Sequence, residues 1–218
     1  MNTRHACLVA GFSAAALVAA GCGSDDTSTD TETVETPPTS LTTTTTDSLP
    51  TPVPGMSGDA FGPPGEAGPD DDNAFTYDEA AVPVGATFDV ESEDENGRTT
   101  VTLRVMGLQP DRDFGVHVHT RPCGPNPSDS GPHYQNQADP AATPDSPSTD
   151  PAYANPQNEI WLDLTTDAQG NGEASTTVDW EFRDGEANSV VLHDRHTGTA
   201  PGEAGQAGDR LACIDEDF

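Results

Sequence analysis

The chain has 218 residues, 38 acidic and eight basic side chains, a net charge of −30 and a mean hydropathy of −0.60. These numbers exclude a multispan membrane protein, and they exclude a DNA or RNA binder because such a surface repels a phosphate polymer. Every basic side chain is Arg, so the chain has neither a P-loop lysine nor a lysine for Schiff-base chemistry.

Arg4 precedes an apolar run over residues 6–20 that is short for a spanning helix and reads as an export signal. The run ends in Val18-Ala19-Ala20-Gly21-Cys22, which resembles the lipobox of bacterial lipoproteins. The resemblance implies a signal peptide over residues 1–21, cleavage after Gly21, a lipid on Cys22, and a mature protein held outside the cytoplasm on the cell membrane of a bacterium. Residues 22–77 are expected to form a disordered tether. Residues 42–46 are all Thr, Pro37, Pro38, Pro50, Pro52 and Pro54 lie close together, and Asp70, Asp71 and Asp72 end the stretch. Few apolar side chains there offset the entropy of ordering. A flexible tether of about 55 residues reaches roughly 40 Å, and its Thr/Pro composition leaves O-glycosylation open.

Residues 78–218 form the expected folded domain. Residues 86–92 alternate in polarity, Asn96-Gly97 is a strong hairpin signal, and Val101, Leu103 and Val105 share one face of a returning strand. Further extended runs cover residues 114–119, 159–164, 173–180, 189–193 and 210–214, separated by Gly, Pro and Asp clusters. No ten-residue stretch carries a helical apolar stripe, so the domain is expected to be an all-β antiparallel sandwich or barrel.

Histidine placement is the strongest functional signal. His117 and His119 are two apart on a strand and project from one face, while Val116 and Val118 enter the opposite layer. His133 follows, and His193 ends the apolar run Val190-Val191-Leu192. Four imidazoles suit copper or zinc, and tetragonal nitrogen geometry favours Cu(II). With Cys22 taken by lipid, Cys123 and Cys213 remain as a pair, and in an oxidising compartment they are expected to form a disulfide. That bond would hold Arg210, three residues before Cys213, near the histidine face.

Phe114-Gly115-Val116-His117-Val118-His119, Cys123, Gly131-Pro132-His133, Val190-Val191-Leu192-His193 and Gly208-Asp209-Arg210-Leu211-Ala212-Cys213 resemble, in order, the copper-site blocks of the copper/zinc superoxide dismutases. The resemblance implies a Greek-key sandwich and copper bound by His117, His119, His133 and His193. It also implies a Cys123 to Cys213 disulfide and a role for Arg210 in guiding superoxide. Residues 134–158 hold no His where the family has zinc ligands, and Asp139, Asp145 and Asp150 alone make a poor tetrahedral zinc set. No structural zinc is therefore expected, a pattern resembling the copper-only branch.

The second nitrogen of His133 then needs a partner, for which His196 and Asp194 are candidates, though His196 reads more readily as an exposed loop residue. The expected function is a surface-tethered superoxide dismutase using one copper per chain. The alternative is a copper-binding or copper-buffering lipoprotein without turnover. No nucleic acid is expected as partner, and a monomer and a homodimer both remain open.

Overall fold

A computed structural model describes residues 59–65, 73–143 and 146–218. The signal segment, Cys22, most of the tether and Asp145 lie outside the described residues. Nine strands occur among those described: β1 (Asp59–Ala60), β2 (Ala74–Thr76), β3 (Thr87–Glu95), β4 (Arg98–Met106), β5 (Asp113–His119), β6 (Leu164–Thr165), β7 (Gly172–Val178), β8 (Ser189–His193) and β9 (Arg210–Asp215). They form two antiparallel sheets, one in the order β1-β3-β4-β7 and the other β2-β9-β8-β5-β6. The chain crosses between sheets after β4, returns to place β7 beside β4, and crosses again to place β8 beside β5. This is a Greek-key β-sandwich.

The β3–β4 hairpin turns on Asn96 and Gly97, whose φ angles of 57° and 78° are those a two-residue turn between right-twisted strands requires. Thr99, Val101, Leu103 and Val105 of β4 are buried and alternate with outward residues. In β5, by contrast, every residue after Asp113 is buried. Phe114, Val116 and Val118 enter the sandwich core, whereas His117 and His119 lie on the other face beneath long connections.

The structure corrects two expectations. The folded part begins before residue 78, because β1 and β2 lie inside the segment read as tether. Asp59 and Ala60 pair with Phe88 and Thr87, and residues 74–76 pair with Ile214, Cys213 and Ala212. Phe61 and Phe75 are buried, and the Phe61 ring lies 4.9 Å from that of Phe88. These isolated aromatics were masked by the Pro, Gly and Asp around them. The run over residues 159–164 is also not a full strand; regular pairing is confined to β6, with one isolated bridge from Trp161 to His117. Alternation still holds there. Ile160 and Leu162 enter the core, and the intervening Glu159, Trp161 and Asp163 reach the histidine face.

A chain starting at Asp78 therefore lacks two strands and the buried Phe61 and Phe75. Losing even one buried Phe side chain removes about 3–5 kcal/mol, so residues 78–218 should unfold at clearly lower urea concentration than residues 59–218. Equal midpoints would show that the two short strands contribute nothing.

Candidate metal centre

Strand register places the first three rings. Antiparallel pairing sets His117 opposite Val191 and Gly115 opposite His193, so His193 sits diagonally from His117 on the same face of β5 and β8. His133 arrives from an irregular segment that runs back along the end of β5. Arg121 N donates to Ser130 O at 3.0 Å, Thr120 N to Pro132 O at 3.0 Å and Tyr134 N to Val118 O at 2.8 Å. This pairing brings His133 beside His119. The reversal passes through Gly131 at φ 72°, where a Cβ would lie 2.7 Å from Thr120 Oγ1.

One nitrogen from each of His117, His119, His133 and His193 falls within 4.8 Å of the others. Their outer nitrogens all meet oxygen. His119 Nδ1 donates to Gly131 O at 2.9 Å, His193 Nδ1 to Gly208 O at 3.3 Å, and His133 Nδ1 to the Glu159 carboxylate at 3.0 Å. His117 Nε2 lies 2.7 Å from Thr197 Oγ1. A carbonyl oxygen only accepts, so the protons of His119 and His193 are on Nδ1 and both Nε2 atoms are bare lone pairs. Those two atoms face each other at 3.3 Å, and His117 Nδ1 is buried without a hydrogen-bond partner. Lone pairs this close repel unless a cation lies among them, so the donor set fits a metal that prefers imidazole nitrogen.

Protonation does not compete strongly for these nitrogens. Burial first, and then the neighbouring rings, hold His117 and His119 well below the ordinary histidine range. Burial likewise lowers His193 from 6.5 to about 3. The rings are therefore neutral and ready to bind metal near neutral pH.

Glu159 is the partner that sequence reasoning missed for His133. It is 2% exposed, and its carboxylate also accepts Gln135 Nε2 at 2.7 Å and Trp161 Nε1 at 2.7 Å. The two candidates considered for that role are elsewhere. His196 is half exposed and donates to Leu164 O at 3.2 Å, while Asp194 pairs with Arg112 at 2.6 Å. The available signal for Glu159 was its place in an alternating run with Ile160 and Leu162, which put a carboxylate on the buried face.

The Cys123–Cys213 disulfide, with an S–S distance of 1.98 Å, ties the segment after β5 to β9. Arg210 reinforces the same junction. Its Nη1 donates to Pro127 O at 2.8 Å and Ser130 Oγ at 2.9 Å, and its Nη2 to Gly131 O at 2.7 Å. Gly131 O thus accepts from both Arg210 and His119. A cavity of about 780 Å³ opens on His133 and His193 and is also lined by Glu159, Arg195 and Arg210.

An antiparallel sandwich whose strands and one returning segment bring together four imidazoles, with a fixed guanidinium and a disulfide beside them, defines a narrow class of fold with a candidate metal site. The family model for copper/zinc superoxide dismutase matches residues 84–214, and the chain belongs to that family. No curated protein matches the chain. Among solved structures, Cu/Zn superoxide dismutase from Brucella abortus is 18% identical, covering 66% of this chain and 96% of that one, with a TM-score of 0.44. A doubly substituted SOD-like protein from Bacillus subtilis is 14% identical, covering 60% of this chain and 87% of that one, with a TM-score of 0.41.

Two outcomes follow for the metal-free protein. Replacing both cysteines by serine should lower stability by about 4–5 kcal/mol in urea titration, given a sequence separation of 90 residues. A histidine whose folded pKa is depressed stabilises the fold fully only above its unfolded value. Stability should therefore decline as pH falls from about 6.5 toward about 3, the window set by His193. A flat pH profile through that range would contradict the burial of neutral rings.

Proposed function

We propose that the protein is a cell-surface superoxide dismutase that works at one copper ion per chain, without zinc. The observation that carries this reading is the convergence of bare lone pairs, His119 Nε2 and His193 Nε2 at 3.3 Å with the unpartnered His117 Nδ1 beside them. Copper held by His117, His119, His133 and His193 would supply the one-electron chemistry that turns two superoxide ions into oxygen and hydrogen peroxide.

The protein's own contribution is orientation and charge. Outer-nitrogen hydrogen bonds fix each ring, and loss of such a partner typically weakens metal binding 10- to 100-fold. Glu159 engages His133 Nδ1, so that atom has no lone pair to share with a second metal; this supports copper alone. Arg210, tied to three acceptors on residues 127–131, is a cation of fixed position on the cavity wall, where it draws a small anion toward the rings. Arg195 lines the same cavity. The lipobox at Cys22 supports anchoring on the outer side of a bacterial membrane, where superoxide would be met.

The net charge of −30 favours the second reading, a copper-binding lipoprotein without turnover, because the far field repels superoxide. At physiological salt that field is screened within about 8 Å, and the fixed Arg210 guanidinium on the cavity wall then favours the enzyme.

The test uses the mature chain carrying Cys22→Ser, with its disulfide formed. Near diffusion-limited superoxide loss at one copper per chain, absent from metal-free and zinc-loaded samples, is the expected result. One tightly bound copper with negligible turnover would establish the binder instead. His119→Ala should abolish tight copper binding, and unchanged stoichiometry would remove that ligand. Arg210→Ala should keep copper and lower turnover roughly tenfold; an unchanged rate would remove its steering role.

A further inference from the structure

Residues 134–163 join the His133 segment to β6 and contain no helix or regular strand among those described. A connection this long keeps one shape only where other groups tie it down. Arg183, from the connection between β7 and β8, ties it at its start, beside His133. Its Nη1 donates to Asn136 O at 2.8 Å and its Nη2 to Gln135 O at 3.0 Å. The guanidinium lies over the Tyr134 ring, 4.7 Å from the centroid, and Arg183 N donates to Tyr134 Oη at 3.1 Å. Its Nε donates to Glu186 at 2.7 Å. A planar fork serves two successive carbonyls and stacks on a ring at once, which a lysine ammonium does not.

Gln135 carries this restraint inward. Its backbone carbonyl is held by Arg183, while its side chain accepts Asp139 N at 3.1 Å and donates to Glu159 Oε1 at 2.7 Å. That bond occupies one oxygen of the buried carboxylate and leaves the other, Oε2, to His133 Nδ1 at 3.0 Å. The route from guanidinium to imidazole therefore has three links: Arg183 to Gln135, Gln135 to Glu159, and Glu159 to His133. The Arg183 side chain is 42% exposed, so replacing it removes little from the core.

We propose that Arg183 is a positioning residue for the histidine cluster. By fixing the backbone of residues 134–136 it sets Gln135 against Glu159, and through Glu159 it sets the ring of His133. The inference rests on the copper reading above, which it deepens by naming the residue that orders the support of the His133 ring.

The experiment compares the mature Cys22→Ser chain with its Arg183→Ala, Arg183→Lys and Gln135→Met variants and with the double variant Gln135→Met/Arg183→Ala. In the metal-free wild-type chain the His133 Nδ1 proton should be visible by nuclear magnetic resonance and exchange slowly with water, because a bonded, partly enclosed proton is protected. Arg183→Ala should speed that exchange about tenfold and weaken Cu(II) binding about tenfold in chelator competition, the lower end of the loss for an outer partner. Arg183→Lys should resemble Arg183→Ala, because it keeps the charge without the fork. Gln135→Met should show both effects, and adding Arg183→Ala to it should change neither further, since the two residues act in one chain.

The proposal is overturned by a folded Arg183→Ala chain with wild-type proton exchange, by full function of Arg183→Lys, which would reduce Arg183 to a surface charge, or by additive effects in the double variant. If Arg183→Ala does not fold, the exchange measured in Arg183→Lys decides. Failure of the wild-type chain to bind copper would sink the copper reading separately, since proton exchange is measured without metal.

Discussion

Burying histidines in company is the constraint on which the rest of this structure depends. His117, His119 and His193 are almost wholly removed from water, and with His133 they crowd their ring nitrogens within 4.8 Å. A proton on any one would place a positive charge beside the others in a medium of low polarity. His117, His119 and His193 are therefore neutral, and each neutral ring has one N–H that needs an acceptor and one lone pair that needs a cation or an N–H. The fold supplies the acceptors: two backbone carbonyls, a buried carboxylate and a threonine hydroxyl. Among the described residues nothing is bonded to His117 Nδ1, and a metal ion is one partner that these lone pairs could take.

Meeting that requirement takes contributions from distant parts of the chain. Gly131 and Gly208 provide carbonyls from loops of the same two-sheet frame, Glu159 comes from the irregular segment before β6, and Thr197 from the connection between β8 and β9. Arg210 and the disulfide then clamp the Gly131 loop to β9. Because Gly131 O serves both Arg210 and His119, the guanidinium and the imidazole share one mechanical support. Displacing that loop would disturb charge placement and ring orientation together.

What the sequence made legible follows from period and spacing. The β3–β4 hairpin was visible because Asn96-Gly97 is flanked by alternating residues, and the ring-bearing faces of β5 and β8 because His117, His119 and His193 sit beside apolar runs of clear phase. Glu159 and Thr197 were harder. Their roles depend on which loop lies over which strand, a long-range relation that no local pattern encodes, and an isolated Glu or Thr has many ordinary explanations. The short strands β1 and β2 were hidden for a compositional reason. Phe61 and Phe75 each pack well, but polar and Gly/Pro neighbours dilute any windowed signal.

The charge balance of the site fits the same physical frame. A copper ion among four neutral imidazoles would bring its whole positive charge into a partly enclosed cavity, and Arg210 adds another. Glu159 is the buried carboxylate nearest to hand, 3.0 Å from His133 Nδ1, and Asp163 stands behind His117 through Thr197. Each carboxylate is separated from the ring cluster by a hydrogen bond, so it can offset positive charge without competing for the metal. Glu159 also strengthens His133 as a ligand, since an imidazole that donates to a carboxylate is a better electron donor at its other nitrogen. The two carboxylates of residues 159–163 therefore hold His133 directly and His117 through Thr197, and they offset part of the positive charge that a metal ion would bring to the rings.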